Sequence, residues 1–249
     1  VKIKNVLISQ PQPADPQKSP YYELAKKHNL KIDYFKFIKI EGISAREFRK
    51  DKVYIQDHSA IIFTSRNAVD HFFRIAEEMR VEVPDTMKYF CVSESVAFYL
   101  QKYVQYRKRK IFHGQHSFSD LMDVIKKHKN ETYLLPCSDI HKADIPCQLE
   151  GNNINYHKAI LYRTVASDLS DLDLKKYDLM VFFSPSGVAS LYKNFPDFEQ
   201  GNTLIAAFGP TTTKAVEEAG MTLNINAPTK TAPSMSMAID EYLKNNKTK

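Results

Sequence analysis

Short apolar runs recur along this chain, each ending in a small hydroxyl-bearing turn and continuing as a helix-period stripe. Ile61-Ile62-Phe63 leads through Thr64-Ser65-Arg66-Asn67 into Ala68, Val69, Phe72 and Phe73. Val181-Phe182-Phe183 leads in the same way through Ser184-Pro185-Ser186-Gly187 into Val188, Leu191 and Tyr192. Aligned on Ser65 and Ser184, the copies lie roughly 120 residues apart, about one small domain.

Two further pairs follow in the same order. Tyr89-Phe90-Cys91-Val92, the turn Ser93-Glu94-Ser95 and the stripe Val96, Tyr99, Leu100, Tyr103 match Leu204 to Phe208, the turn Gly209-Pro210-Thr211, and Thr212, Ala215, Val216, Ala219. Phe118, Leu121, Met122 and Ile125 match Met235, Ala238, Ile239 and Tyr242, again at the i, i+3, i+4, i+7 spacing of a helix face. Strands alternating with helices predict parallel sheets covered by helices, with ligands gathered at the carboxyl ends of the strands. Val6-Leu7-Ile8 predicts one more strand, followed by a Pro-rich loop and a helix opening at Pro20.

Two segments, Lys31 to Lys39 and Tyr156 to Val165, alternate aromatic or β-branched residues with polar ones as extended strands do, and they bracket the first set of repeats. The economical organisation is a discontinuous domain 1 (1–35 and 165–249), an inserted domain 2 (40–158), and two linker strands (36–39 and 159–164). Two linkers restrict a hinge while still allowing a cleft to open and close.

Composition narrows the class. The 249 residues, 43% hydrophobic and 26% charged, suit one large or two small globular domains. No apolar run approaches a membrane span, and Val1-Lys2-Ile3-Lys4 does not begin a signal peptide, so a cytoplasmic protein is expected. Cys91, Cys137 and Cys147, odd in number and set in apolar sequence, read as buried thiols. The net charge of +6 is dispersed except at Arg107-Lys108-Arg109-Lys110. That run could meet a polyanion, but no aromatic or Gly-rich nucleic-acid motif accompanies it, and a solvated turn is the better reading.

The candidate chemistry lies in the turns. Ser65, Ser184, Thr211 and Thr212 are explained one by one as helix caps. Duplicated on strand ends in two domains, the set also suits carboxylates or phosphates held by free N–H groups and the positive ends of helix dipoles. Gly209 lets a ligand approach the backbone closely, and Pro210 suits a first helical turn. Tyr162, in Ile160-Leu161-Tyr162-Arg163-Thr164, is placed at the cleft, where a phenol can serve a leaving hydroxyl; interdomain packing explains it equally well. Arg163 faces the other way along the strand. His113 and His116 lack a third metal ligand, and the chain has neither a phosphate loop, a dinucleotide fingerprint nor a nucleophile elbow. Cys137 has no identifiable base partner. An enzyme or binder working with amides, hydroxyls and scattered cations, without cofactor or metal, is expected.

These residues resemble the uroporphyrinogen-III synthase family. The resemblance rests on Phe63 to Val69, Leu134-Leu135-Pro136-Cys137, Leu161 to Val165, Phe182 to Gly187, Ala206 to Thr212, and the Ala227 to Met235 stretch with Thr231. It runs in order along nearly the whole chain, and the Gly-Pro-Thr-Thr turn is its most specific part. It implies two α/β domains on a two-stranded linker, domain 1 flavodoxin-like and discontinuous, with hydroxymethylbilane bound between them and no cofactor. That substrate carries eight carboxylates. The family's reaction expels its terminal hydroxyl, forms a spiro intermediate through ring D, and re-closes with that ring inverted.

On the resemblance, Tyr162 assists hydroxide departure. Thr64, Ser65, Arg66, Asn67, Ser95, Ser138, Lys142, Ser184, Ser186, Gly187, Gly209, Thr211, Thr212 and Thr231 bind substrate. The chain departs from the family at Val96, where many members carry Thr, with Ser95 adjacent. A monomer receiving its substrate from the preceding pathway enzyme is expected, with no nucleic-acid or membrane partner. The competing reading is a non-catalytic intracellular binder of a small polyanion.

Overall fold

The computed structural model describes residues 3–115, 117–140 and 144–246. In chain order it runs β1 (Asn5–Ile8), α1 (Pro20–His28), β2 (Lys31–Tyr34), β3 (Ile38–Gly42), α2 (Ala45–Phe48), β4 (Ala60–Phe63), α3 (Arg66–Glu78), β5 (Lys88–Cys91) and α4 (Glu94–Leu100). It continues through β6 (Ile111–His113), α5 (Phe118–Ile125), β7 (Tyr133–Ser138), α6 (Asp144–Gly151), β8 (Tyr156–Ala166), β9 (Leu179–Phe182) and α7 (Pro185–Asn194). The last elements are β10 (Leu204–Phe208), α8 (Pro210–Glu218), β11 (Leu223–Ala227) and α9 (Met235–Asn245). The chain divides into two units, unit 1 from Val1–Lys39 with Val165–Lys249 and unit 2 from Ile40–Thr164. Both boundaries fall inside hydrogen-bonded strands, β3 and β8.

Unit 1 is a doubly wound parallel sheet in the order β11-β10-β9-β1-β2. Its central strands β9 and β1 are buried from Leu179 to Phe182 and from Val6 to Ile8, so they are continuous apolar runs rather than alternating ones. Helices α1 and α9 bury Leu24, Met235 and Ile239 on one face, while α7 and α8 bury Val188, Leu191 and Val216 on the other. Ser19 caps α1 with Pro20 at its first position, and left-handed Asn29 ends it.

In unit 2 the order is β3-β8-β7-β4-β5-β6. Here α3 and α4 cover one face, with Ala68, Val69, Phe72 and Val96 buried; α5 and α6 cover the other, with Phe118, Leu121 and Leu149. Phe63 is fully buried, edge-on to Phe72 at 5.6 Å and stacked on Tyr89 at 6.1 Å. Truncating it to Ala would cost about 3–5 kcal/mol. A reciprocal capping box between Ser117 and Asp120 starts α5.

Five strands of the two ladders correspond, and only β3 of unit 2 lacks a counterpart among the described strands of unit 1. Matching β4, β5 and β6 to β9, β10 and β11 leaves β7-α6-β8 opposite β1-α1-β2, because β7 flanks β4 as β1 flanks β9. A fourth matched unit therefore exists, circularly permuted in the chain. Tyr156 to Val165, expected outside both repeats, is that counterpart: β8 pairs in parallel with β7 through Ser138↔Tyr162. Lys31 to Lys39 is not one extended segment but two strands. The break falls at Phe37, which is fully buried against Phe182 at 5.8 Å and whose carbonyl accepts from Ser167 N–H and Ser190 Oγ.

Other expectations meet mixed outcomes. Cys91 and Cys137 are buried, but Cys147 is exposed on α6, since the buried side of that helix is carried by Pro146 and Leu149. The Arg107 to Lys110 run is a turn ahead of β6, with Lys110 Nζ donating to Asp85 O. Among the described residues no helix is long and apolar enough to cross a membrane, and no group of His, Cys, Asp and Glu is arranged to hold a metal ion. His116 and Lys142 lie outside the described residues.

Candidate active site

Both units place their hydroxyl residues where the strands end, and the two sets differ in kind. In unit 2, Phe63 ends β4 and the next residues enter α3 directly, with Ser65 as N-cap accepting from Ala68 N–H at 3.1 Å. Tyr162 arrives on β8, two strands away across β7, and its phenol lies 3.4 Å from Ser65 Oγ. Thr64, Ser65, Cys137, Ser138 and Tyr162 line a cavity of about 420 Å³ at these strand ends. Small-molecule sites fall in that size range.

Burial raises the Tyr162 phenol above the ordinary tyrosine value, against a weaker downward pull from the Ser65 hydrogen bond. The group stays protonated at neutral pH and acts as a hydrogen-bond donor. Burial also pushes the neighbouring Cys137 thiol up to about 11, so it is no thiolate nucleophile. Ser138 is nearly buried and donates to Asp139 Oδ1 at 2.8 Å while accepting from Ile140 N–H at 3.3 Å. Asp139 also accepts from Ile140 and Thr164 N–H. Burial alone would raise the Asp139 carboxyl; these hydrogen bonds outweigh it and lower it. The Ser138 hydroxyl thus closes the ends of β7 and β8.

Sequence reasoning missed two residues behind Tyr162. The His71 ring stacks on the Tyr162 ring at 4.9 Å and 20°. Arg74 Nε donates to His71 Nδ1 at 3.2 Å, and Arg74 Nη2 donates to the carbonyls of Ile43 and Leu161. Burial lowers the His71 pKa, and the Arg74 charge lowers it further. A neutral imidazole therefore backs the phenol, held by an arginine fixed to the backbone beside it. The i, i+3 spacing of His71 and Arg74 on one flank of α3 was the available signal.

The remaining unit 2 candidates are not gathered into the cavity. Arg66 is exposed, with its guanidinium 5.4 Å from the Tyr99 ring centroid, and Asn67 is exposed as well. Val96 is buried in the core, so the position where family members carry Thr is filled by packing. Ser95 is exposed beside it and pairs with Ser93 Oγ at 3.0 Å. A larger hollow of about 620 Å³ lies between α3 and the segments 81–89 and 103–111. Its lining mixes Asp70, Glu77 and Asp85 with Arg74, Arg107 and Lys110, and none of the residues expected to bind substrate is among them.

In unit 1 the adjacent ends of β9 and β10 enter α7 and α8. Ser184 caps α7, accepting from Gly187 N–H at 3.1 Å, and Ser186 is half-buried beside it. Gly209 precedes α8 at φ +87°, a region that strains any residue with a side chain, and nothing lies within 4 Å of where its Cβ would be. The N–H groups of Thr211 and Thr212 have no partner among the described residues, as expected for a first helical turn. Thr212 is 1% exposed and its hydroxyl too has no described partner. Thr231 is different: it is exposed, and its hydroxyl donates to Glu241 at 3.2 Å. Ser234, not Thr231, caps the helix that follows.

Two doubly wound units with hydroxyls at their strand ends define an α/β protein of duplicated architecture. The sequence model described as Uroporphyrinogen-III synthase HemD matches residues 20–236, and the chain belongs to that family. Among solved structures it is similar to the uroporphyrinogen-III synthetase of Helicobacter pylori 26695, at 16% identity and TM-score 0.58, covering 98% of this chain and 100% of that one. It is also similar to a mutant uroporphyrinogen III synthase of the extremely thermophilic bacterium Thermus thermophilus, at 13% identity and TM-score 0.51, covering 99% and 100%. At such identities these likenesses bear on the fold. Among curated proteins no match was found.

Proposed function

We propose that the strand ends described above hold hydroxymethylbilane by its carboxylates and that Tyr162 assists the departure of its terminal hydroxyl. The chain is a uroporphyrinogen-III synthase by family, closing that substrate to uroporphyrinogen III with ring D inverted, in heme biosynthesis. The reaction class is a cyclising hydro-lyase. A pyrrole nitrogen lone pair of ring A expels the hydroxyl, which takes a proton and leaves as water. The azafulvenium cation so formed is attacked by the substituted carbon of ring D, and the spiro product fragments and re-closes before losing a proton.

One observation carries the assignment of the chemistry to unit 2: the protonated Tyr162 phenol, beside Ser65 Oγ, opens onto a cavity at the strand ends. A hydrogen bond from that phenol stabilises the leaving oxygen as charge develops on it. Because the unassisted bilane closes readily without inversion, the enzyme's larger task is holding a conformation that favours the spiro route. Thr64, Ser65, Ser184, Ser186, Gly187, Gly209, Thr211 and Thr212 serve that task as hydroxyl and amide donors, with Arg66, Asn67, Ser95, Ser138, Lys142 and Thr231 in lesser roles. The net charge of +6 favours encounter with a polyanion.

The enzyme works as a cytoplasmic monomer that takes its unstable substrate from the preceding enzyme, with neither metal nor cofactor. Light scattering at working concentration checks the monomer. The activity is tested by incubation with freshly made hydroxymethylbilane, oxidation of the products and separation of the isomers. Type III is expected, and type I alone, as in a blank, would contradict the reading.

A further inference from the structure

In an open parallel sheet, ligands bind where neighbouring strands send their helices to opposite faces. In unit 1 that point lies between β9 and β1, since α7 packs on one face and α1 on the other. The β9 side carries Ser184. The β1 side carries Ser9, which follows Ile8 directly and continues the ladder through Ser9 N–H to Val181 O. Ser9 is 8% exposed, and its hydroxyl has no hydrogen-bond partner among the described residues.

The hydroxyl is aimed at the start of α7. A Cβ built on Gly187 would lie 3.5 Å from Ser184 Oγ and 3.7 Å from both Ser9 Oγ and Phe182 Cδ1, so the two oxygens and the edge of the Phe182 ring border the space that this glycine leaves. Ser184 Oγ accepts from Gly187 N–H and keeps its own proton to donate. The Ser186 N–H has no partner among the described residues. Two hydroxyls thus lie at the positive end of a ten-residue helix whose first turn also offers the Ser186 amide.

We propose that Ser9 is a substrate-binding residue whose hydroxyl donates, together with Ser184 and the Ser186 amide, to one acetate or propionate carboxylate at the start of α7. The proposal rests on the reading that hydroxymethylbilane is the substrate. Ser9→Ala, Ser9→Thr and Gly187→Ala are compared with the wild-type enzyme for kcat, KM and product isomer, with melting temperature measured alongside. Ser9→Ala raises KM about five- to tenfold, the loss of one hydrogen bond to a charged group, while kcat stays within about twofold and the product remains type III. Ser9→Thr restores KM to within about twofold. Gly187→Ala, whose methyl meets only ordinary contacts, also raises KM by filling the space, and it reports on the subsite even if Ser9→Ala fails to fold. Type III product with an unchanged KM in Ser9→Ala, or in Gly187→Ala should the first variant not fold, overturns the proposal. Type I alone from the wild-type enzyme overturns the substrate reading itself.

Discussion

Units 1 and 2 share five corresponding strands, yet their strand ends carry different equipment. Unit 2 surrounds a cavity with a phenol, a capping serine and a buried thiol, backed by the Arg74–His71 pair. In unit 1 the strand that matches β8 also ends in a tyrosine, Tyr34, but its ring packs edge-on against Tyr21 at 6.3 Å. Unit 1 presents a glycine at φ +87°, unpartnered amides and the hydroxyls of the buried residues Ser9 and Thr212. The function proposed above assigns proton handling to unit 2, and leaves unit 1 with carboxylate holding alone.

The most disruptive way to probe that contrast is Tyr162→Phe. Steady-state kinetics should show kcat falling about 10²-fold with KM within about twofold, since general-acid assistance is worth that order. Melting should change little, because the one hydrogen bond removed is long at 3.4 Å. A KM effect without a kcat effect would move Tyr162 to the holding side. Next in size is Gly209→Ala, where φ of +87° costs a side chain roughly 1–2 kcal/mol. It should lower the melting temperature and reduce kcat/KM about tenfold; unchanged values of both would show that the turn tolerates a Cβ and that no ligand approaches it.

Smaller still is Thr212→Val, which swaps the unpartnered hydroxyl of a buried residue for a methyl of like shape. Stability should hold or rise slightly while KM climbs about threefold to fivefold, the pattern of a polar group kept for a ligand. A loss of stability with unaltered KM would make Thr212 a structural residue. The gentlest contrast is in pH. Burial lowers the pKa of His58, with its partner His157 adding to it, and burial and Arg74 lower that of His71; both lie in unit 2.

Unfolded, these histidines bind protons from near pH 6.5 downward, so their contribution is complete above that pH and is lost as pH falls through it. In unit 1, burial would raise the Asp240 carboxyl, but hydrogen bonds from His28, Lys244 and Lys27 outweigh it and hold it low. Its contribution is complete above its unfolded value near 3.8 and fades only below it. Hydrogen exchange, corrected for intrinsic rates, should show unit 2 loosening between pH 7 and 5 ahead of unit 1. The opposite order would break the comparison.

Much of the frame was legible in the residues. Helix-period stripes such as Phe118, Leu121, Met122 and Ile125 are buried as their spacing indicates, and the parallel sheets follow from alternation of strand and helix. The fourth repeat was not legible, because permutation puts β1-α1-β2 and β7-α6-β8 out of order and local periodicity carries no information on sheet neighbours. In the site, Thr64, Ser65 and Tyr162 could be named from motifs. That Ser138 already serves Asp139, and Thr231 serves Glu241, depends on side chains meeting in space. His71 was silent as a lone histidine on a helix, and Ser9 was hidden before a Pro-rich loop.

Division of labour between the units is tested most directly by kcat/KM of the double variant Tyr162→Phe/Thr212→Val. Groups that stabilise separate parts of the reaction give effects that multiply, and the account predicts the product of the two single effects within about twofold. A double variant no worse than Tyr162→Phe alone would contradict it, placing both residues in one interdependent device.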